Sequence, residues 1–157
     1  KTGLTHAHGD LFHQAACIVT PTENTRREAL DRLKSFWLKL GCRVQEMTPQ
    51  KHDHTVARVS HLPHAMAIVT TLAALGNDTG VLDSAAGGFR DTTRVAGGDP
   101  SMWAGIFLQN RVEVLAALQD ASCALRELLE KLQTMDEEAL RRFLARAKSL
   151  RDLLPAV

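Results

Sequence analysis

The chain has 157 residues, enough for one domain with a substantial core. Its 45% apolar and 24% charged residues match a soluble globular chain and exclude a disordered one. With 19 basic against 18 acidic residues the net charge is +1, which excludes the one-sided basic excess of a nucleic-acid binder. The longest apolar run, Ala65 to Leu75, is interrupted by Thr70 and Thr71 and is too short to cross a bilayer. No apolar stretch typical of a signal peptide opens the chain, and Cys17, Cys42 and Cys123 lack metal-ligand spacing. A cytoplasmic protein with small, buried, reduced thiols is expected.

In chain order, Ala16 to Thr20 is a short β-branched run stopped by Pro21 and is predicted to be a strand. Thr22 can cap a helix running to about Leu40, with Leu30, Leu33, Trp37 and Leu40 along one stripe and Gly41 as its stop. Cys42 to Met47 can form a second short strand. From Thr48 the texture changes to helix. Thr48 as N-cap and Pro49 as first helical residue open a long helix to about Gly76, which Pro63 must kink. Residues 76–99 hold six of the ten glycines and are predicted to be a loop with at most a short helix near Val81 to Ala86. Asp99-Pro100 repeats the cap-plus-proline opening for a helix to about Leu132, its stripe interrupted at Asn110. Thr134 and Glu137 form a possible capping box for a last helix to about Leu154, stopped by Pro155.

The expected fold class is therefore mainly α. Residues 1–47, with one or two strands and a helix, are expected to be the tail of a larger β-containing domain, because two strands make a poor sheet alone. Residues 48–157 are expected to form a helical bundle.

Two blocks hold groups that a core does not need. On an ideal helix Asp53, Ala57, Ser60 and His64 share one face, beside His61 and the kinking Pro63. Arg90 and Arg94 follow Gly87-Gly88, and a guanidinium fork can bind a carboxylate through two parallel hydrogen bonds. Together they read as part of a binding site for a small anion. The alternatives are satisfied interior histidines, a solvated loop in which Arg90 balances Asp91, and Trp103 as a core residue. A zinc site from His6-x-His8, His52-x-His54 or His61-x-x-His64 is disfavoured, since neither HExxH nor paired CxxC occurs. The long helix after Pro100 could form a dimer seam or an ordinary intramolecular bundle.

The segments His52-Asp53, Ser60-His61-Leu62-Pro63-His64, Gly88-Phe89-Arg90-Asp91-Thr92-Thr93-Arg94 and Asp99-Pro100-Ser101-Met102-Trp103, with Ile106-Phe107 and Asn110, resemble the C-terminal half of the prephenate/arogenate dehydrogenase family. Thr20-Pro21-Thr22 and Lys1-Thr2-Gly3 extend the resemblance over nearly the whole chain. The resemblance implies an NAD(P)-dependent oxidative decarboxylation in tyrosine biosynthesis. It implies a Rossmann-like nucleotide domain ending in residues 1–47 and a helical homodimerisation domain in residues 48–157. It further implies that Arg94 grips a substrate carboxylate and that His64, Ser60 and His61 contact the substrate. Trp103 would lie near the pocket. Asp53 and Arg90 would form an ionic gate, although the family often has lysine at the latter position. The family's catalytic histidine belongs upstream of Lys1, and no GxGxxG turn is present, so the chain is expected to be inactive alone, with no cofactor or metal of its own. The alternative is a non-catalytic helical interaction module that retains the fold.

Overall fold

A computed structural model describes residues 7–154. Two strands, β1 (Ala16–Val19) and β2 (Arg43–Glu46), pair in parallel from Ala16 opposite Arg43 to Val19 opposite Glu46. The crossover helix α1 (Arg27–Lys39) packs on β2, and Val19, Leu30 and Cys42 are buried among these elements. Helix α1 starts later than Thr22. Its N-cap position is Arg26, which makes no side-chain cap, while the Thr22 N–H donates to the Thr25 hydroxyl in a turn before the helix. At its end Gly41 adopts φ +86°, and a Cβ there would meet His13 Nδ1 at 3.1 Å, so this stop position requires glycine.

The remainder is helical: α2 (Pro49–Val56), α3 (Leu62–Leu75), α4 (Gly87–Thr93), α5 (Pro100–Gln109), α6 (Arg111–Gln133) and α7 (Glu137–Arg151). Thr48 accepts from the Lys51 N–H, Asp99 from the Met102 N–H, and prolines occupy the first positions of α2 and α5, where no N–H is needed. The expected capping box at Thr134 does not form. Thr134 is the C-cap of α6, bonding back to the Glu130 carbonyl, and Asp136 caps α7 through the Ala139 N–H. Arg146 on α7 holds Glu127 on α6 at 2.7 Å, and this hydrogen bond keeps the Glu127 carboxyl below its ordinary range.

The long helix expected from Pro49 to Gly76 is resolved differently from a kink. Between α2 and α3, Ala57–His61 forms a π-helical turn, with the Leu62 N–H reaching back to the Ala57 carbonyl. Pro63 has no N–H for the Val59 carbonyl and its ring crowds that group. Widening the preceding turn to i→i+5 bonding accommodates both defects. The extra residue rotates the chain after it. Ala57 (0% exposed) and His64 (5%) turn inward while Ser60 is exposed, so the expected shared face is divided. Ala57, Ala65, Ala67, Val114 and Ala117 are buried, and small side chains let α3, the π turn and α6 approach closely.

Two further expectations are corrected. Arg90 does not lie in a loop but on α4, and Arg94 opens a 3-10 turn, Arg94–Gly97, that packs on α3. The helix after Pro100 breaks at Asn110 (φ −105°, ψ 31°) into α5 and α6. No described helix is long and apolar enough to cross a membrane.

Candidate functional site

The helix α2, the π turn and the α5–α6 break enclose a cleft of about 470 Å³, lined by His52, Asp53, Ser60, His61 and Asn110 together with apolar side chains. The broken helix makes this possible. At the break the Asn110 side chain leaves its own helix and donates through Nδ2 to the Asp53 carbonyl at 2.8 Å, with His61 Nδ1 at 3.4 Å from the same nitrogen. His52 Nδ1 lies 2.9 Å from Asp53 Oδ1. Behind it His54 pairs with Glu113 at 2.9 Å and Arg58 with Asp120 at 3.2 Å, pinning α2 and the π turn to α6.

His64 lies one layer deeper. Its ring stacks on Trp103 with centroids 3.4 Å apart and planes 16° from parallel. Phe107 meets Trp103 at 5.5 Å, and His61 presents an edge-to-face contact to Trp103 at 6.3 Å. The two histidines are thus joined through one indole. Gly98, at the end of the Arg94–Gly97 turn, closes the stack. A Cβ on Gly98 would lie 2.6 Å from Trp103 Nε1 and 3.2 Å from His64 Cε1, so only glycine lets this backbone approach. This contact links the arginine-bearing turn to the histidines.

Burial pushes the His64 imidazole below its ordinary value. Burial also lowers His61, helped by His52 and opposed by the Asp53 carboxylate. Both rings are therefore neutral at pH 7. A histidine depressed in the folded state binds its proton more readily when unfolded, so its stabilising contribution is present above about pH 6.5 and is lost as pH falls through the folded value. The melting temperature is expected to fall between about pH 7.5 and pH 5. His64→Phe, which keeps a ring on Trp103, is expected to flatten that fall. A melting profile with the same slope in both proteins would contradict the assignment.

Arg90 and Arg94 are exposed, and among the described residues neither side chain forms an ion pair or hydrogen bond. Within the chain Asp53 turns to His52, and no Asp53–Arg90 pair forms. His52 and His54 diverge to Asp53 and Glu113, and among the described residues no three metal-ligating side chains gather. His6 and the Lys1-Thr2-Gly3 segment lie outside the described residues. Nor does the β1–α1 turn suit a dinucleotide. It reads Thr20-Pro21-Thr22-Glu23-Asn24-Thr25-Arg26, without a glycine that would let backbone N–H groups close on a pyrophosphate.

Residues 48–146 match the family model described as "Prephenate dehydrogenase, dimerization domain". The chain belongs to the prephenate dehydrogenase family. It is 32% identical to a prephenate dehydrogenase of Bacillus subtilis over 99% of this chain and 43% of that protein. Among solved structures it resembles the prephenate dehydrogenase of A. aeolicus in complex with hydroxyphenyl propionate and NAD+. That match has a TM-score of 0.84 at 36% identity and covers 96% of this chain and 54% of that one. It also resembles Synechocystis arogenate dehydrogenase, with a TM-score of 0.81 at 34% identity over 91% and 53% of the two chains. The chain therefore spans about half the length of the prephenate dehydrogenases it matches.

Asn110 and Gly98 were the residues sequence reasoning undervalued. In the sequence Asn110 is visible as a polar break in an apolar stripe and as one residue of the family resemblance, and Gly98 only as the second of two glycines before Asp99-Pro100.

Proposed function

We propose that this chain is the substrate-pocket and dimer-forming half of a cytoplasmic prephenate or arogenate dehydrogenase that uses NAD or NADP. In this reading residues 1–47 end a dinucleotide-binding domain and residues 48–157 form the helical domain. The observation that carries it is the match to a protein whose complex holds both hydroxyphenyl propionate and NAD+. Those two ligands belong to an oxidoreductase with an aromatic carboxylate site, and this chain supplies chemistry for the hydroxyphenyl propionate and not for the NAD+.

The Arg94 guanidinium, without a side-chain partner among the described residues, pairs with a substrate carboxylate. The Ser60 hydroxyl and the neutral His61 and His64 rings hydrogen-bond ring or side-chain oxygens. Trp103 forms an apolar wall that keeps water from one face of the ligand. Asp53 and Arg90 gate the mouth on assembly, since within one chain they do not meet. The resulting product is 4-hydroxyphenylpyruvate from prephenate, or tyrosine from arogenate, with loss of carbon dioxide. This chain alone binds but does not turn over.

Apolar side chains that the helices leave uncovered support homodimerisation. Leu72 on α3 (65% exposed), Leu108 on α5 (70%) and Val112 on α6 (72%), with Leu125, Leu129 and Leu132, are apolar side chains in solvent. Sedimentation at micromolar concentration is expected to give twice the 17.2 kDa chain mass. A monomer under those conditions would contradict the dimer.

A further inference from the structure

We propose that Asn110 is a positioning residue that holds His61 as its Nε2–H tautomer, so that this ring offers the cleft a hydrogen-bond donor. The Asp53 carbonyl oxygen can only accept, so the Asn110 side-chain atom 2.8 Å from it is the NH2 group and its amide orientation is determined. That NH2 has a second hydrogen, and His61 Nδ1 lies 3.4 Å from the same nitrogen. A donor facing Nδ1 requires a lone pair there, which leaves the single proton of a neutral ring on Nε2.

The surroundings agree. The charged or titratable groups facing His61 are His52 and Asp53 of α2, and α5 brings only the uncharged rings of Trp103 and Phe107. Among the described residues Nε2 has no protein partner and is not sealed from solvent, and the His61 ring lines the cleft. An Nε2–H open to the cleft takes an oxygen acceptor, a carbonyl or carboxylate. It cannot accept the proton of a ligand hydroxyl at that atom. The ligand's identity rests on the functional reading above, whereas the tautomer does not.

The test is a long-range proton–nitrogen correlation spectrum of the histidine rings in this chain at pH 7.5. For His61, Nε2 is expected in the protonated range and Nδ1 in the lone-pair range. Asn110→Asp replaces the donor by an acceptor and is expected to invert this pattern and raise the His61 pKa. Asn110→Ala leaves Nδ1 without its donor, is expected to draw the two shifts together, and raises the pKa by about half a unit. A protonated Nδ1 in the parent chain would overturn the proposal. So would an Asn110→Ala spectrum identical to the parent's. Neither outcome depends on dehydrogenase activity, so a failure here is separable from a failure of the functional reading.

Discussion

Arg94→Ala, introduced into the full protein that carries this sequence, is expected to lower kcat/KM about a hundredfold. A charge-assisted bond to a carboxylate is worth roughly 1.5–3 kcal/mol, and each 1.36 kcal/mol is a factor of ten. The loss should report the ligand alone, because Arg94 forms no ion pair among the described residues that its removal would leave unpaired. If the guanidinium only grips the substrate in its ground state, KM rises and kcat is kept. Arg94→Lys should recover only part of the loss, since an ammonium cannot reproduce the two-pronged geometry. Thermal stability should be unchanged, because the side chain is exposed. Steady-state kinetics beside a melting curve check all three statements. An Arg94→Ala enzyme with unaltered kcat/KM would remove the arginine from the site.

Trp103→Ala is expected to cost about 2–3 kcal/mol of stability, below the roughly 3–5 kcal/mol of a fully buried tryptophan because the residue is only half-buried. The indole is the shared neighbour of His64, His61 and Phe107, and Gly98 lies against its Nε1 edge. Removing it leaves the His64 ring facing a void and loosens the turn that carries Arg94. A drop in Tm of about 5–10 °C is expected, given the scale for a domain of this size. Trp103→Phe keeps a stacking ring and should cost less than half as much. Gly98→Ala perturbs the same junction from the opposite side by pressing a methyl group into the indole, an overpacking worth about 1–3 kcal/mol. Differential scanning calorimetry of the three variants distinguishes a structural junction from a free surface ring. An unchanged Tm in Trp103→Ala would show that the stack stabilises nothing.

Much of the fold could be read because its signals are local. Thr48-Pro49 and Asp99-Pro100 fix where α2 and α5 begin, since a cap oxygen and a missing N–H act within one turn. The strand before Pro21, the helix ended by Gly41 and the predominance of helix after residue 48 follow from equally short-range chemistry. What could not be read depends on partners distant in sequence. Gly87-Gly88 looks like a loop, yet these glycines occupy the first positions of α4, where N–H groups are free in any case, and Phe89 lines a pocket together with Ala74 and Leu75 of α3. Pro63 announces a disturbance in the helix but not its form. The π turn is one of several solutions, and with it Ser60 and His64 leave a common face. The site was legible as a set of residue types. Its assembly was not, because Asn110 acts through the carbonyl of Asp53, 57 positions earlier.

The most direct measurement is NAD(P)H absorbance during incubation of the full protein with prephenate and, separately, with arogenate, using Arg94→Ala as the control. Turnover of one or both substrates, lost in the Arg94 variant, is the predicted result and identifies the substrate. A folded protein that binds nucleotide yet turns over neither would contradict the dehydrogenase reading and leave the helical domain as an interaction module.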